Sequence, residues 1–270
     1  MLKKSIFFVM AICTFSFFSG CDASKSSGGG INLFPVEKDI ELGAQVSQQI
    51  ESDPAQFPIL PEQGNEEVYR YIRGIRDDIL NSGEVKHKDD FVWQVKIIHD
   101  DATLNAFATP GGYIYVYTGL IKYLDSEDHL AGVMGHEIAH ADLRHSTRQM
   151  TKMFGVQTLL AVALGNSNTD LLQNVAAGLI NLKFSRSHET ESDAASVRYL
   201  CRSKYNAAGA AGFFEKIENE GGSQVPQFIS THPNPGNRVA DIKGNKTALG
   251  CTGTETYQSR YDRMKALLPQ

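Results

Sequence analysis

A chain of 270 residues, 41% of them hydrophobic, carries enough apolar side chain for one core plus a small appendage. Its formal charge of −5, from 26 Lys and Arg against 31 Asp and Glu, lacks the basic footprint of a nucleic-acid binder, so no nucleic-acid partner is expected. The composition points to disorder only in one short N-terminal segment.

That N-terminus begins MLKK and continues as the apolar run SIFFVMAICTFSFF, 14 residues long. The run is too short to span a bilayer and reads as a signal peptide over residues 1–20. Phe18-Ser19-Gly20 before Cys21 resembles a bacterial lipobox, in which the cysteine becomes the lipidated first residue, although Phe18 stands where Leu is usual. Residues 21–34 are then the lipidated Cys21 and a flexible tether, with DASKSSGGG at 22–30, and residues 35–270 form a single domain. Losing Lys3 and Lys4 with the signal takes the formal charge from −5 to −7. The chain is expected in a bacterial periplasm, anchored by lipid to the inner or outer membrane. With Cys13 removed and Cys21 lipidated, Cys201 and Cys251 remain as an even pair in an oxidising compartment. A disulfide between them closes a loop of about 50 residues, worth roughly 4 kcal/mol by chain entropy.

Val36, Ile40, Leu42, Val46 and Ile50 have helical spacing within 36–51, and Pro54, Pro58 and Pro61 make the next stretch a loop. Val68, Ile72, Ile75 and Ile79 mark a second helix over 66–81, stopped by Asn81-Ser82-Gly83. Strands are predicted at 91–98, at 103–109 and, most clearly, at Tyr113–Tyr117, where three tyrosines share one face and Ile114 and Val116 the other. Pro110-Gly111-Gly112 turns the last two into a hairpin. Beyond it the pattern is helical. One helix starts at Asp125 or Ser126 and runs through GHEIAH to about Met150. MFGVQTLLAVAL, 153–164, reads as a buried or surface-inserting helix, too short for a span. A helix capped by Thr169 or Asp170 follows to about Leu182, then one carrying SHETESDAASVRYLCR, then Phe213–Glu220. THPNPGNR, 231–238, is a proline-fixed loop, and the last 30 residues hold a strand or loop and one short helix.

GHEIAH, 135–140, concentrates the chemistry. On a helix His136 and His140 lie one turn apart on one face, so both rings can aim at one ion, such as zinc with nitrogens at about 2.0–2.1 Å. Glu137, about 100° further round, is badly placed as a third ligand beside both rings and well placed to deprotonate a water on the metal. This is the HExxH pattern of zinc peptidases. The third ligand of a metzincin would fall at Ser146 and its glycine at Leu143, which excludes that class. His145, roughly 140° round the helix from His140, reads as a polar helix-end residue with Arg144 and Arg148. The remaining source is a carboxylate from another helix: Glu189 and Asp193 form an i, i+4 pair in ETESD, one to bind metal and the other to accept the outer N–H of a ligand histidine.

Four blocks, NAFATPGGYIYVYTGL (105–120), GHEIAH with the following RHSTR, FSRSHETESDA (184–194) and STHPNPGNRV (230–239), resemble a known family. It is the zinc metalloendopeptidase family that includes HtpX, the CAAX prenyl protease and the Oma-type and BepA-type proteases. The resemblance implies an α+β, mostly helical, minigluzincin-like domain with a small sheet beside the active-site helix. It implies one Zn2+ held by His136, His140 and Glu189, Glu137 as base, and Asp193 behind a ligand histidine. It makes the YIYVY strand the sheet's substrate-facing edge, with Asn105, Gly112, Tyr113 and Tyr115 as substrate-binding candidates. His232 is either a metal-proximal group, which holds a latent enzyme or stabilises an oxyanion, or part of a rigid turn. Arg238 pairs with a carboxylate or touches substrate. No transmembrane helices and no tetratricopeptide tail, features of some relatives, are expected in the sequence given.

The expected activity is that of a lipid-anchored, zinc-dependent envelope endopeptidase acting on unfolded or extended polypeptides, with misfolded or misassembled envelope proteins implied by relatives alone. The alternative is a chaperone-like or scaffolding lipoprotein that binds unfolded chains without turnover.

Overall fold

The computed structural model describes residues 32, 34–220, 227–233 and 236–269. The expected signal peptide, Cys21 and the tether before residue 32 lie outside the described residues, as does Pro235.

The apolar spacing near the start produces helices α1 (Val36–Glu51) and α2 (Glu66–Leu80). A three-stranded sheet follows: β1 (Gln94–Ile98), β2 (Ala106–Thr109) and β3 (Tyr113–Tyr117). β2 and β3 form the expected antiparallel hairpin, pairing Ala106 with Val116 and Thr109 with Tyr113. β1 lies parallel on the other side of β3, pairing Gln94 with Tyr113 and Ile98 with Tyr117. The order is therefore β1-β3-β2, and YIYVY is the central strand, not the edge. Both of its backbone edges are already paired, so the expectation that a peptide adds to this strand is overturned. The outer edge of β1 is also covered: Leu60 N–H donates to the Ile97 carbonyl at 2.8 Å, and Ile97 N–H donates to the Tyr69 hydroxyl at 3.2 Å.

Alternation along β3 divides the interior. Ile114 and Val116 enter a large core with α2 and the helices that follow the sheet, whereas Tyr115 and Tyr117 enter a second cluster with α1. Contact between α1 and the hairpin is close. A Cβ on Gly43 would sit 1.9 Å from the Pro110 carbonyl oxygen, so only glycine allows that approach.

After the short α3 (Thr118–Tyr123), α4 (Glu127–Asp142) carries GHEIAH through the centre of the molecule, with every residue but His129 buried. The single helix expected to reach Met150 is two. α4 stops at Leu143, Arg144 takes left-handed φ 57°, and α5 (His145–Phe154) sets off anew. Tertiary contacts from α1 and the residues just before it hold this break: Arg144 Nε meets Asp39 Oδ2 at 2.5 Å, its NH2 donates to the Phe34 carbonyl at 2.5 Å, and Thr147 donates to Asp39 Oδ1 at 2.8 Å. Gly155 then separates α5 from α6 (Val156–Ala163), which buries Leu159, Val162 and Ala163. Met153 and Leu164, at either end of this apolar stretch, remain exposed.

α7 (Thr169–Ile180) is capped by Asn168, whose side chain accepts from Leu171 N–H, one residue earlier than expected. α8 (Arg186–Cys201), capped by Ser185, packs along α4 more extensively than any other pair of helices and brings ETESD beside HExxH. α9 (Gly209–Asn219), α10 (Gln227–Thr231), α11 (Arg238–Ala248) and α12 (Gln258–Lys265) follow, so among the described residues the C-terminal part holds two more helices than its pattern suggested. A disulfide joins Cys201, at the end of α8, to Cys251, just beyond α11. Among the described residues no helix is long and apolar enough to cross a membrane.

Candidate metal centre

The i, i+4 spacing on α4 points both histidines at α8, and they meet there. His136, His140, Glu189 and His232 each offer a ligand atom, and all four atoms lie within 4.8 Å of one another. All four residues are buried, none more than 1% exposed. His140 Nε2 is 3.0 Å from His136 Nε2, which is 3.2 Å from His232 Nδ1. Glu189 Oε1 lies 3.4 Å from His140 Nε2 and 3.2 Å from His232 Nδ1, and Glu189 Oε2 lies 3.4 Å from His136 Nε2. Four donors at about 2.0–2.1 Å from a tetrahedral zinc stand roughly 3.3 Å apart. The observed spacings bracket that value, and the set of three imidazoles and one carboxylate suits a divalent transition metal.

Three of these four residues are held from behind. Asp193 Oδ1 is 2.8 Å from His136 Nδ1, which turns the other nitrogen of that ring toward the cluster. Arg238, 1% exposed, spans Asp193 with Nε to Oδ2 at 2.7 Å and NH2 to Oδ1 at 2.8 Å, and its NH2 is 3.1 Å from Glu189 Oε2. Of the two readings of Arg238, the structure shows pairing with carboxylates. His145 departs from its expected place. It does stand at a helix end, as the first residue of α5, but it is fully buried, with Nδ1 3.1 Å from His140 Nδ1 and Nε2 3.1 Å from Glu191 Oε2. The angle that separated His145 from His140 assumed one continuous helix, and the Arg144 break removes that assumption.

Burial and charge then set the protonation. Burial holds the His140 imidazole well below its ordinary pKa, leaving a lone pair available to a metal. Burial and Arg238 also act downward on His136, but its contacts with Asp193 and Glu189 outweigh them and lift it to about 9 in the metal-free cluster. Burial would raise Glu189, yet His232, His136 and His140 together hold it far below the carboxylate range. Glu137 is not a member of the cluster. Its carboxyl is 1% exposed and pushed up by burial, its Oε1 has no hydrogen-bond partner, and the nearest ring nitrogen is His232 Nε2 at 3.5 Å. A buried carboxylate of raised basicity, beside a metal cluster and unspent on hydrogen bonds, is equipped to take a proton.

α10 closes the site. Phe228 N–H donates to the Leu104 carbonyl just before β2, Phe184 N–H donates to the Thr231 carbonyl, and His232 N–H donates to the Phe228 carbonyl. The Phe228 ring stacks on His232 at 4.3 Å, and Phe184 lies 3.8 Å from His140. The sequence carried little sign of this cover, because α10 is only five residues long. The tyrosines proposed to bind substrate face elsewhere. Tyr115 is fully buried, with its hydroxyl 2.7 Å from Ser47 Oγ of α1; Tyr113 packs against the α1 side, and Gly112 is pinned on Trp93 with φ +89°. Asn105 does lie beside the sheet edge next to α4, and its buried Oδ1 has no hydrogen-bond partner.

A helix presenting HExxH, a glutamate from a second helix and a buried carboxylate behind a ligand imidazole define a metallopeptidase of the gluzincin kind. Comparison with known proteins agrees. Residues 66–246 match the family described as Peptidase family M48, and the chain belongs to that family. It is 33% identical over 147 residues to the mitochondrial metalloendopeptidase OMA1 of Arabidopsis thaliana, covering 54% of this chain and 30% of that protein. To the putative beta-barrel assembly-enhancing protease of Vibrio cholerae it is 32% identical over 157 residues, covering 53% and 32%. To the beta-barrel assembly-enhancing protease of Escherichia coli K12 it is 32% identical over 167 residues, covering 57% and 34%. The matched segment thus spans about a third of the length of these curated relatives.

Proposed function

We propose that the chain is a zinc-dependent endopeptidase of the bacterial cell envelope, held at a membrane through lipid on Cys21 and acting on unfolded or misassembled envelope proteins. The convergence of His136, His140 and Glu189 beside an unspent Glu137 carries this reading. The names of the beta-barrel assembly-enhancing relatives support the envelope setting. When bound, zinc would polarise a scissile carbonyl and lower the pKa of water. Glu137 takes the proton of the attacking water and delivers it to the leaving amine. Arg238 and Asp193 keep the His136 ring in register during that transfer.

Substrate enters as an extended strand along the unpaired edge of β2, which is buried in the form described and must be uncovered first. Backbone pairing there gives affinity with little sequence preference. Asn105, with its amide oxygen uncommitted, meets a substrate N–H. In this arrangement His232 would supply a fourth protein donor to a bound ion, and α10 lies across the end of that edge, so we read the form described as latent. A catalytic zinc keeps one position open, which requires His232 to withdraw.

The closed cluster also favours a second reading, a scaffolding lipoprotein that binds unfolded chains without turnover. One set of measurements separates them. The full chain should hold about one zinc and cleave casein. Glu137→Gln should keep the metal and lose cleavage, and His232→Ala should cleave faster than the wild type. Cleavage surviving in Glu137→Gln would refute the role of the base. Envelope protection unchanged in a Glu137→Gln strain would favour the scaffold.

A further inference from the structure

Three carboxylates of α8 approach the cluster, and only two have a role so far. Glu189 is a ligand and Asp193 fixes His136 directly. Glu191 reaches the cluster through another side chain. Its Oε2 lies 3.1 Å from His145 Nε2, and the opposite nitrogen of that ring lies 3.1 Å from His140 Nδ1. His145 is fully buried, whereas the Glu191 side chain is 29% exposed, so the chain of contacts runs from the surface to a ligand.

The inventory of donors decides how the protons lie. A carboxylate only accepts, so the hydrogen between Glu191 and His145 belongs to His145 Nε2. A neutral imidazole with hydrogen on Nε2 has a bare Nδ1, which accepts. Facing that nitrogen is His140 Nδ1, which must therefore donate. The lone pair of His140 is left on Nε2, the atom 3.0 Å from His136 Nε2 and 3.4 Å from Glu189 Oε1. With His145 Nδ1 bare, the Ser192 hydroxyl, 3.2 Å away, can only donate to it and shares that acceptor with His140 Nδ1–H, which leaves the assignment of His140 unchanged. Ring orientation is fixed as well: His188 stacks on His145 at 4.3 Å with the planes 12° apart, and the Arg144 break sets where α5 begins.

We infer that His145 is a positioning residue for the metal centre, accepting from His140 Nδ1–H and anchored by Glu191, so that His140 presents Nε2 to zinc. The inference rests on the zinc reading above. The two ligand histidines thus obtain the same orientation by different routes, one from a carboxylate directly and the other through an imidazole.

The test measures zinc affinity of the full chain by competition with a chromogenic chelator, alongside thermal melting of the metal-free protein. His145→Leu keeps an apolar body and removes the acceptor; zinc should bind about 10–100-fold more weakly, with little change in the metal-free melt. His145→Asn places an amide oxygen near the position of Nδ1, and should recover most of the loss. Glu191→Ala, at a partly exposed position, should weaken zinc about 3–10-fold, and it decides the matter if the Leu variant does not fold. The inference is overturned if folded His145→Leu binds zinc within about twofold of the wild type, if Leu and Asn are equally impaired, or if Glu191→Ala leaves affinity unchanged. A wild-type chain that takes up no zinc overturns the metal reading along with it. Tight wild-type binding with an indifferent His145→Leu overturns this step alone.

Discussion

Arg238 is a fully buried cation that joins two buried carboxylates. Its guanidinium is buried, makes two hydrogen bonds to Asp193, lies 3.1 Å from Glu189 and sits 4.1 Å from the centre of the Phe214 ring. Arg238→Met keeps much of the apolar stem and removes the charge, leaving two buried carboxylates beside one another without their guanidinium. Breaking a buried ion pair from one side costs about 3–5 kcal/mol, because the remaining charge stays desolvated. For a domain of this size each kcal/mol lowers the melting temperature by about 2–4 °C, so the metal-free variant should melt about 6–20 °C below the wild type. Zinc supplies positive charge beside Glu189, and the deficit should narrow when the metal saturates. Thermal melts by circular dichroism, with chelator and with excess zinc, read both effects. A metal-free variant melting within about 2 °C of the wild type would show that Asp193 and Glu189 do not depend on Arg238, and the account of the pair would fail.

Two further outcomes follow from the same geometry. His136 keeps its proton up to about pH 9 in the metal-free chain, so zinc binding below that pH must displace it. Chelator competition should then show affinity rising about tenfold per pH unit from pH 7 and levelling above 9; a flat profile across that range would contradict a protonated His136. The Cys201–Cys251 bridge closes a separation of 50 residues around His232 and Arg238. Replacing both cysteines by serine should cost about 2–4 kcal/mol, seen as a melting temperature lower by roughly 4–16 °C; an unchanged melt would count against any contribution from the bridge.

Much of the fold was legible because its signals are local. The tyrosine alternation that marked Tyr113–Tyr117 reports a pleat with two different faces, and the structure gives it two different cores. The same alternation says nothing of which neighbours a strand has. β3 was placed at the edge and lies in the centre, because the parallel pairing with β1 joins residues that the chain brings together only after folding. Helix ends behaved alike. Spacing and capping residues located α1, α2 and α8, whereas the break between α4 and α5 has no glycine or proline to announce it. Arg144 adopts its left-handed conformation because Asp39 and the Phe34 carbonyl, about a hundred residues earlier in the chain, hold its side chain.

By itself the sequence determined the chemistry of the centre: HExxH on a helix puts two imidazoles on one face and a carboxylate beside them, and ExxxD repeats the arrangement with a ligand and its support. Those are properties of a 3.6-residue turn and survive in any context where the helices form. Only the tertiary structure decided that His145 stands behind His140, that Arg238 bridges Glu189 and Asp193, and that His232 joins the cluster that could hold a metal, next to α10. Each of these contacts joins separate helices or crosses a break between them, and direction across such gaps is set by packing, which no short-range pattern encodes.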